Sequence, residues 1–207
     1  MKEVIEQTYG EPLYEGHLGG CSAGGDKGTY YPEMWEYLKF KYGINSVLDV
    51  GCGVGYSAKL FESMGCEIQG IDGSLMAADI SLIKDKLLIH DYEHGPALTN
   101  DTRTFDLCWS CEFVEHVWEK FSQNFLEDFK KCKYVAMTYA YPGQGGHHHV
   151  NENTQEYWID VMDKNGFDFL EKDTLVLRSL AEHDVEPQYR IYNHFFLRGL
   201  LFKSRTL

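Results

Sequence analysis

Apolar residues along this chain switch repeatedly between every second position and every third or fourth, and each switch predicts an element. Pro32 suits the first turn of a helix, and Met34, Trp35, Leu38 and Tyr42 recur at helical spacing until Gly43. A strand then fits Ser46–Val50, a helix Tyr56–Met64 ended by Gly65, a strand Glu67–Ile71, a short helix near Leu75–Ile83 and a strand Lys86–His90. Phe105–Trp109 predicts a further strand, Phe121, Phe125 and Phe129 one face of an amphipathic helix, and Tyr134–Tyr139 a fifth strand. Asn153 or Thr154 can cap a helix carrying Tyr157, Trp158, Val161 and Met162, with Gly166 just past its end. Phe167–Leu170 and Phe195–Lys203 read as two last strands, joined as an antiparallel hairpin at the sheet edge. Strands alternating with helices imply an α/β fold: three layers, doubly wound, with a mostly parallel sheet of about seven strands and an antiparallel edge strand. The start is irregular, rich in glycine yet carrying Tyr9, Tyr14, Tyr30 and Tyr31. Residues 1–43 therefore read as a cap and helix belonging to the same domain as residues 44–207.

Composition narrows the class. A chain of 207 residues, 43% hydrophobic and 14% aromatic, can bury one sizeable core without disulfides or a structural metal. Its formal charge of −13 repels a phosphate backbone, which argues against nucleic acid and favours a small or neutral partner. No apolar run reaches the roughly 20 residues of a membrane helix, so no membrane partner is expected. The six cysteines (Cys21, Cys52, Cys66, Cys108, Cys111, Cys132) lack short-loop disulfide spacing, and the first twenty residues carry no basic-then-apolar signal. Both point to a reducing cytoplasm. Nothing in the pattern sets an oligomeric state.

The strongest local signal is Val47-Leu48-Asp49-Val50-Gly51-Cys52-Gly53-Val54-Gly55, a buried-strand pattern running into a glycine loop and then a helix. Glycines let the backbone turn sharply and approach a ligand, and the helix start presents unpaired N–H groups to an anion. A dinucleotide fold would carry a third glycine where Tyr56 stands, which counts against NAD. The pattern of an acidic residue followed by G-x-G-x-G resembles the first motif of the Rossmann-like S-adenosylmethionine-dependent methyltransferases, in Asp49, Gly51, Gly53 and Gly55. That resemblance extends over roughly residues 44–203. It implies that the glycine loop packs along the methionine part of the cofactor and that Asp49 helps hold its amino group. Asp72, at the end of the second strand, is expected to accept the ribose hydroxyls, and Asp91, after the third, to face the adenine amino group. Cys52, Gly73, Tyr92 and Ser110 join them as expected cofactor contacts.

The stretch from Phe105 to Val117, with Glu115-His116 opening a helix, resembles the fourth-strand motif of the small-molecule members of that family. The D-P-P-Y type motif of DNA-base amino methylation, the Pro-Cys nucleophile of cytosine attack and the aspartate cluster of magnesium-dependent relatives are missing. Methyl transfer is a displacement that needs alignment and removal of a proton, for which histidine is suited near neutral pH. His116 is one candidate base, although a first-turn histidine can equally be a structural contact to the cofactor. Cys108 and Cys111 lack a second pair and read as structural. After the fifth strand, Tyr141 to Asn151 makes a glycine-rich, flexible approach to His147, His148 and His149. Neighbours in an extended run alternate sides, so at most two of the three could face one ion, and no metal is expected. His148 and His149 are expected at the transferred methyl, with His147, Asn151, Tyr157 and Trp158 around the acceptor. The expected activity is methyl transfer to an oxygen or nitrogen of a small molecule or glycan. Alternatives are a cofactor-binding subunit or scaffold without turnover and, more remotely, an aminopropyltransferase, which would carry paired aspartates where Ser110-Cys111 stand.

Overall fold

A computed structural model describes residues 16–207; the cap tyrosines Tyr9 and Tyr14 lie outside them. Helix α1 (Pro32–Tyr42) leads into β1 (Ser46–Val50), α2 (Tyr56–Ser63), β2 (Glu67–Asp72), α3 (Leu75–Asp79) and β3 (Leu87–Ile89). β4 (Phe105–Ser110), α4 (Ser122–Phe129), β5 (Cys132–Met137), α5 (Gln155–Lys164) and β6 (Phe167–Phe169) follow. The chain closes with α6 (Glu171–Asp184), α7 (His194–Arg198) and β7 (Leu200–Ser204).

The seven strands form one sheet in the order β3-β2-β1-β4-β5-β7-β6. β1 to β5 are parallel, while β7 runs antiparallel to both β5 and β6 and supplies the expected antiparallel pair at one edge. Strand order reverses between β1 and β4, and such a reversal opens a crevice beyond the carboxyl ends of the strands.

Period-two alternation sorts the core into two layers. Val47, Leu107 and Trp109 meet α1, α2, α6 and α7 through Met34, Trp35, Phe61, Leu177 and Phe195. Leu48, Val50, Cys108, Val135 and Met137 meet α4 and α5 through Phe125, Phe129, Trp158 and Met162.

Three segments depart from the expected pattern. The helix expected to reach Ile83 stops at Asp79, because Ile83 turns inward: a Cβ on Gly55 or Gly70 would come within 2.7 or 2.5 Å of it. The expected strand Phe195–Lys203 is instead the short helix α7 followed by β7. Asn193 caps that helix by accepting from the Phe196 N–H at 3.0 Å, and Gly199 ends it in extended backbone, where the Phe195 ring leaves no room for a Cβ. The last two strands are no hairpin either, for α6 lies between them, burying Thr174, Leu177 and Ala181. Those positions recur at helical spacing, a signal available in the sequence. The C-terminal Asp184 of α6 accepts from the Glu33 and Met34 N–H groups, both at 2.9 Å, and so caps α1.

Candidate active site

A cavity of about 1060 Å³ opens at the carboxyl ends of β1, β2 and β4, at the large end of the roughly 300–1,000 Å³ usual for ligand pockets. The loop after β1 forms its floor. Gly51 and Cys52 N–H groups both donate to the Ile71 carbonyl, at 2.9 and 3.2 Å, which pulls the loop against β2. Gly51 adopts φ +75°, and a Cβ there would lie 2.6 Å from Phe113, so this position admits only glycine without rearrangement.

Three carboxylates line this end of the cavity. Asp49 is buried, accepts from the Ser57 hydroxyl, and is pushed up to about 7 by burial, against the pull of the Ser57 and Ala58 donors. Asp72 accepts from the Gly53 N–H at 2.7 Å and the Ser74 N–H at 2.9 Å, which fixes its orientation. Asp91 accepts from the Glu93 N–H at 2.9 Å and lies 3.0 Å from His17 Nε2. Burial works against its charge, but these partners hold it below the usual carboxylate value. Cys52, Gly53, Gly73 and Tyr92 also line the cavity; Leu18 and Cys21 of the preceding segment cover it.

The opposite end is built by the segment after β4 and the loop after β5. His116 and His149 both line the cavity, with their rings edge-on and centroids 5.0 Å apart. Burial and the neighbouring His149 lower His116 to about 4, so its imidazole is neutral at pH 7. Glu115, fully buried, is pushed up to about 8 by burial and by the Glu112 carboxylate. One potential ligand atom each of Glu115, His116 and His149 lie within 4.8 Å of one another, so a metal can be considered where the sequence suggested none. Beside them, Glu112 adopts φ +54°, which brings its carboxylate to 2.7 Å from His194 and 3.1 Å from Arg198. His194 also lies 3.3 Å from Asp26. Burial opposes a charge on His194, but Glu112 and Asp26 more than offset it and raise it to about 9.

The expected site residues divide accordingly. Asp49, Gly51, Cys52, Gly53, Asp72, Gly73, Asp91 and Tyr92 meet at one cavity, and so do His116, His147 and His149. Gly55 and Ser110 do not line it: Gly55 faces Ile83, and Ser110 is fully buried at the end of β4. His148 is likewise outside the lining. It sits at φ +47°, with its ring between those of His17 and Trp118, centroids 5.8 and 5.9 Å away. Asn151, Tyr157 and Trp158, expected around the acceptor, are not among the residues that line this cavity. Asn151 is buried and donates to the Val114 carbonyl and Ser122 hydroxyl, Tyr157 donates to Glu119 at 3.0 Å, and Trp158 is wholly within the core. Nor is the histidine loop loosely held. Glu152 accepts from Gly143 and Gly145 at 2.7 and 2.6 Å, while Val150 and Asn151 donate to the Glu115 carbonyl. Glu112, His194, Arg198 and Asp26 were not singled out by the sequence. The spacing of His194 and Arg198, one helical turn apart, was visible, but their common partner 82 and 86 positions away was not.

Comparison with known proteins gives a consistent set of likenesses. Residues 48–133 match the family model described as a methyltransferase domain. A ubiquinone biosynthesis O-methyltransferase from Rhodopseudomonas palustris (strain BisA53) is 37% identical over 75 residues, covering 34% of this chain and 29% of that protein. This chain thus matches less than a third of the length of that curated relative. A TehB-like SAM-dependent methyltransferase from Corynebacterium glutamicum superposes with a TM-score of 0.58 at 16% identity, over 88% of this chain and 91% of that one. PKMT2 from Rickettsia typhi, solved in complex with AdoHcy, has the same TM-score at 12% identity, over 87% of this chain and 54% of that one. At such identities the superpositions establish a shared fold.

Proposed function

We propose that this chain is a Rossmann-like S-adenosylmethionine-dependent methyltransferase and that it moves a methyl group to an oxygen or nitrogen of a small molecule or glycan, a reading supported by the family match over residues 48–133 and by the shared fold. One observation carries the reading. A single cavity holds the glycine loop and three strand-end carboxylates at one end, and a pair of imidazoles at the other. The donor set suits the cofactor: Asp49 for the methionine ammonium, Asp72 for the ribose diol, Asp91 for the adenine amino group. The cofactor supplies an electrophilic methyl on sulfur. The protein's part is to hold donor and acceptor in line and to take up the acceptor's proton. In this reading His116 and His149 serve the acceptor side, with His147 beside them; all three line the cavity, and His147 Nε2 lies 2.8 Å from the Gly16 carbonyl.

The partners in this reading are the cofactor and a small or glycan acceptor; nucleic acid is disfavoured by the charge of −13. No helix among the described residues is long and apolar enough to cross a membrane. All six cysteines are free, in keeping with a reducing compartment such as the cytoplasm. The test has two stages. S-adenosylhomocysteine should raise the thermal midpoint, with NAD giving no shift; the reverse would overturn the class. Methyl-labelled cofactor incubated with metabolite and glycan extracts should then label a small acceptor. Tight cofactor binding without label transfer to any fraction would favour a binding subunit over an enzyme.

A further inference from the structure

We propose that Glu115, His116 and His149 form a binding site for one divalent first-row transition-metal ion at the acceptor end of the cavity. Their potential ligand atoms already lie within 4.8 Å of one another, close enough to converge on a single ion. The second observation is unmet polarity. Glu115 is fully buried, and neither carboxylate oxygen has a hydrogen-bond partner; His116 Nδ1 is also buried and without a hydrogen bond. An unsatisfied buried polar atom usually costs about 1–3 kcal/mol, so three of them on adjacent residues beside His149 call for a partner. A cation satisfies all three side chains at once.

The donor set indicates which cation. Two imidazoles and one carboxylate are the ligands of catalytic zinc and of other borderline ions such as Mn²⁺ and Co²⁺, whereas Mg²⁺ and Ca²⁺ prefer oxygen alone. Three protein ligands leave coordination positions for water or an acceptor, and His116 and His149 both face the cavity. The surroundings fit an ordered site. Glu152 Oε1 lies 3.3 Å from His149 Nδ1, a carboxylate placed to orient the ring, and the same Glu152 ties down the loop through Gly143 and Gly145. The Glu115 backbone carbonyl anchors Val150 and Asn151, holding the loop against the segment that carries the other two ligands. An ion there would draw electrons from a coordinated hydroxyl and so favour an oxygen acceptor. This last step rests on the methyl-transfer reading, whereas metal binding does not.

The test is made on chelator-stripped full-length protein by equilibrium dialysis against Zn²⁺, Mn²⁺, Co²⁺ and Mg²⁺, with metal measured by mass spectrometry. The expected result is one equivalent of a transition ion per chain, Mg²⁺ failing to compete, and visible d–d absorption with Co²⁺. Glu115→Gln and His149→Ala should each weaken binding by about tenfold or more, the scale for disturbing a metal site. His149→Ala alters a cavity-lining side chain and guards against misfolding of the buried Glu115 variant; circular dichroism verifies both. His148→Ala, at a neighbouring histidine outside the cavity, should keep full stoichiometry. The proposal is overturned if wild type binds no ion at 100 µM, if Mg²⁺ binds as well as Zn²⁺, if folded His149→Ala keeps wild-type affinity, or if His148→Ala loses it. S-adenosylhomocysteine titration of the same samples tests the methyltransferase reading separately.

Discussion

Cofactor binding should release a proton, and Asp49 should be its source. In the free protein this buried carboxyl sits at about 7 because burial outweighs its Ser57 and Ala58 donors. A methionine ammonium arriving beside it favours the ionised form and should return it to the ordinary range near 4. At pH 6 about 0.9 proton per bound S-adenosylhomocysteine should then be released, at pH 7 about 0.5 and at pH 8 about 0.1. The sign follows directly: below pH 7 the neutral acid must ionise before it can pair, so affinity should fall by about 50-fold from pH 7 to pH 5. Stability of the free protein runs the opposite way with pH. A folded value raised from 3.8 to about 7 means that ionising Asp49 costs stability as pH climbs between those values, about 4 kcal/mol in all. Asp49→Asn should lack that pH dependence and bind the cofactor weakly. The assay is calorimetric titration at pH 6 in two buffers of different ionisation enthalpy, whose apparent heats should differ by about 0.9 of that difference. Equal heats in both buffers, with binding intact, would refute both the raised carboxyl and its pairing with the ammonium.

Other outcomes follow from individual contacts. Asp72→Ala should weaken S-adenosylhomocysteine by about 1.5–3 kcal/mol, the scale of lost charge-assisted hydrogen bonds, and titration with unchanged affinity would remove Asp72 from the ribose site. Gly51→Ala forces a Cβ to 2.6 Å from Phe113 at φ +75°, so urea denaturation should show a loss of about 1–3 kcal/mol as well as lost cofactor binding. Asn151→Ala should lower stability by about 1–3 kcal/mol by orphaning its buried partners, with the Michaelis constant for any acceptor unchanged; a raised constant with normal stability would return Asn151 to the acceptor pocket. His194 faces Glu112, Asp26 and Arg198, and its folded value of about 9 lies above the ordinary 6.5. Its ion pairs therefore stabilise fully below pH 6.5 and fade as pH rises through about 9, so the urea midpoint of wild type should drop across that window more steeply than that of His194→Gln.

The chain's local pattern determined the parallel α/β core and the end of the cavity that carries the glycine loop and the strand-end carboxylates. β1 was legible to the residue, and Asp49, the glycine loop and Asp72 follow from a rule that needs no distant partner: in a parallel sheet, successive strands end at the same edge. What failed was the reading of residues whose surroundings come from elsewhere in the chain. Trp158 and Tyr157 looked like pocket aromatics, but the helical period shows only that they share a helix, and β-sheet packing decided that Trp158 faces the core. His147, His148 and His149 are equivalent in sequence; the tertiary structure set His148 between His17 and Trp118 and His149 against His116. Phe195 belonged to an apolar run that reads as strand, and only the Asn193 cap and the close approach at Gly199 turned its start into a helix. The pairing of Glu112 with Arg198 spans 86 positions, and the meeting of Glu115 and His116 with His149 joins two loops beyond different strands. Such encounters depend on how strands are ordered and helices docked, and neither quantity is written in the spacing of neighbours.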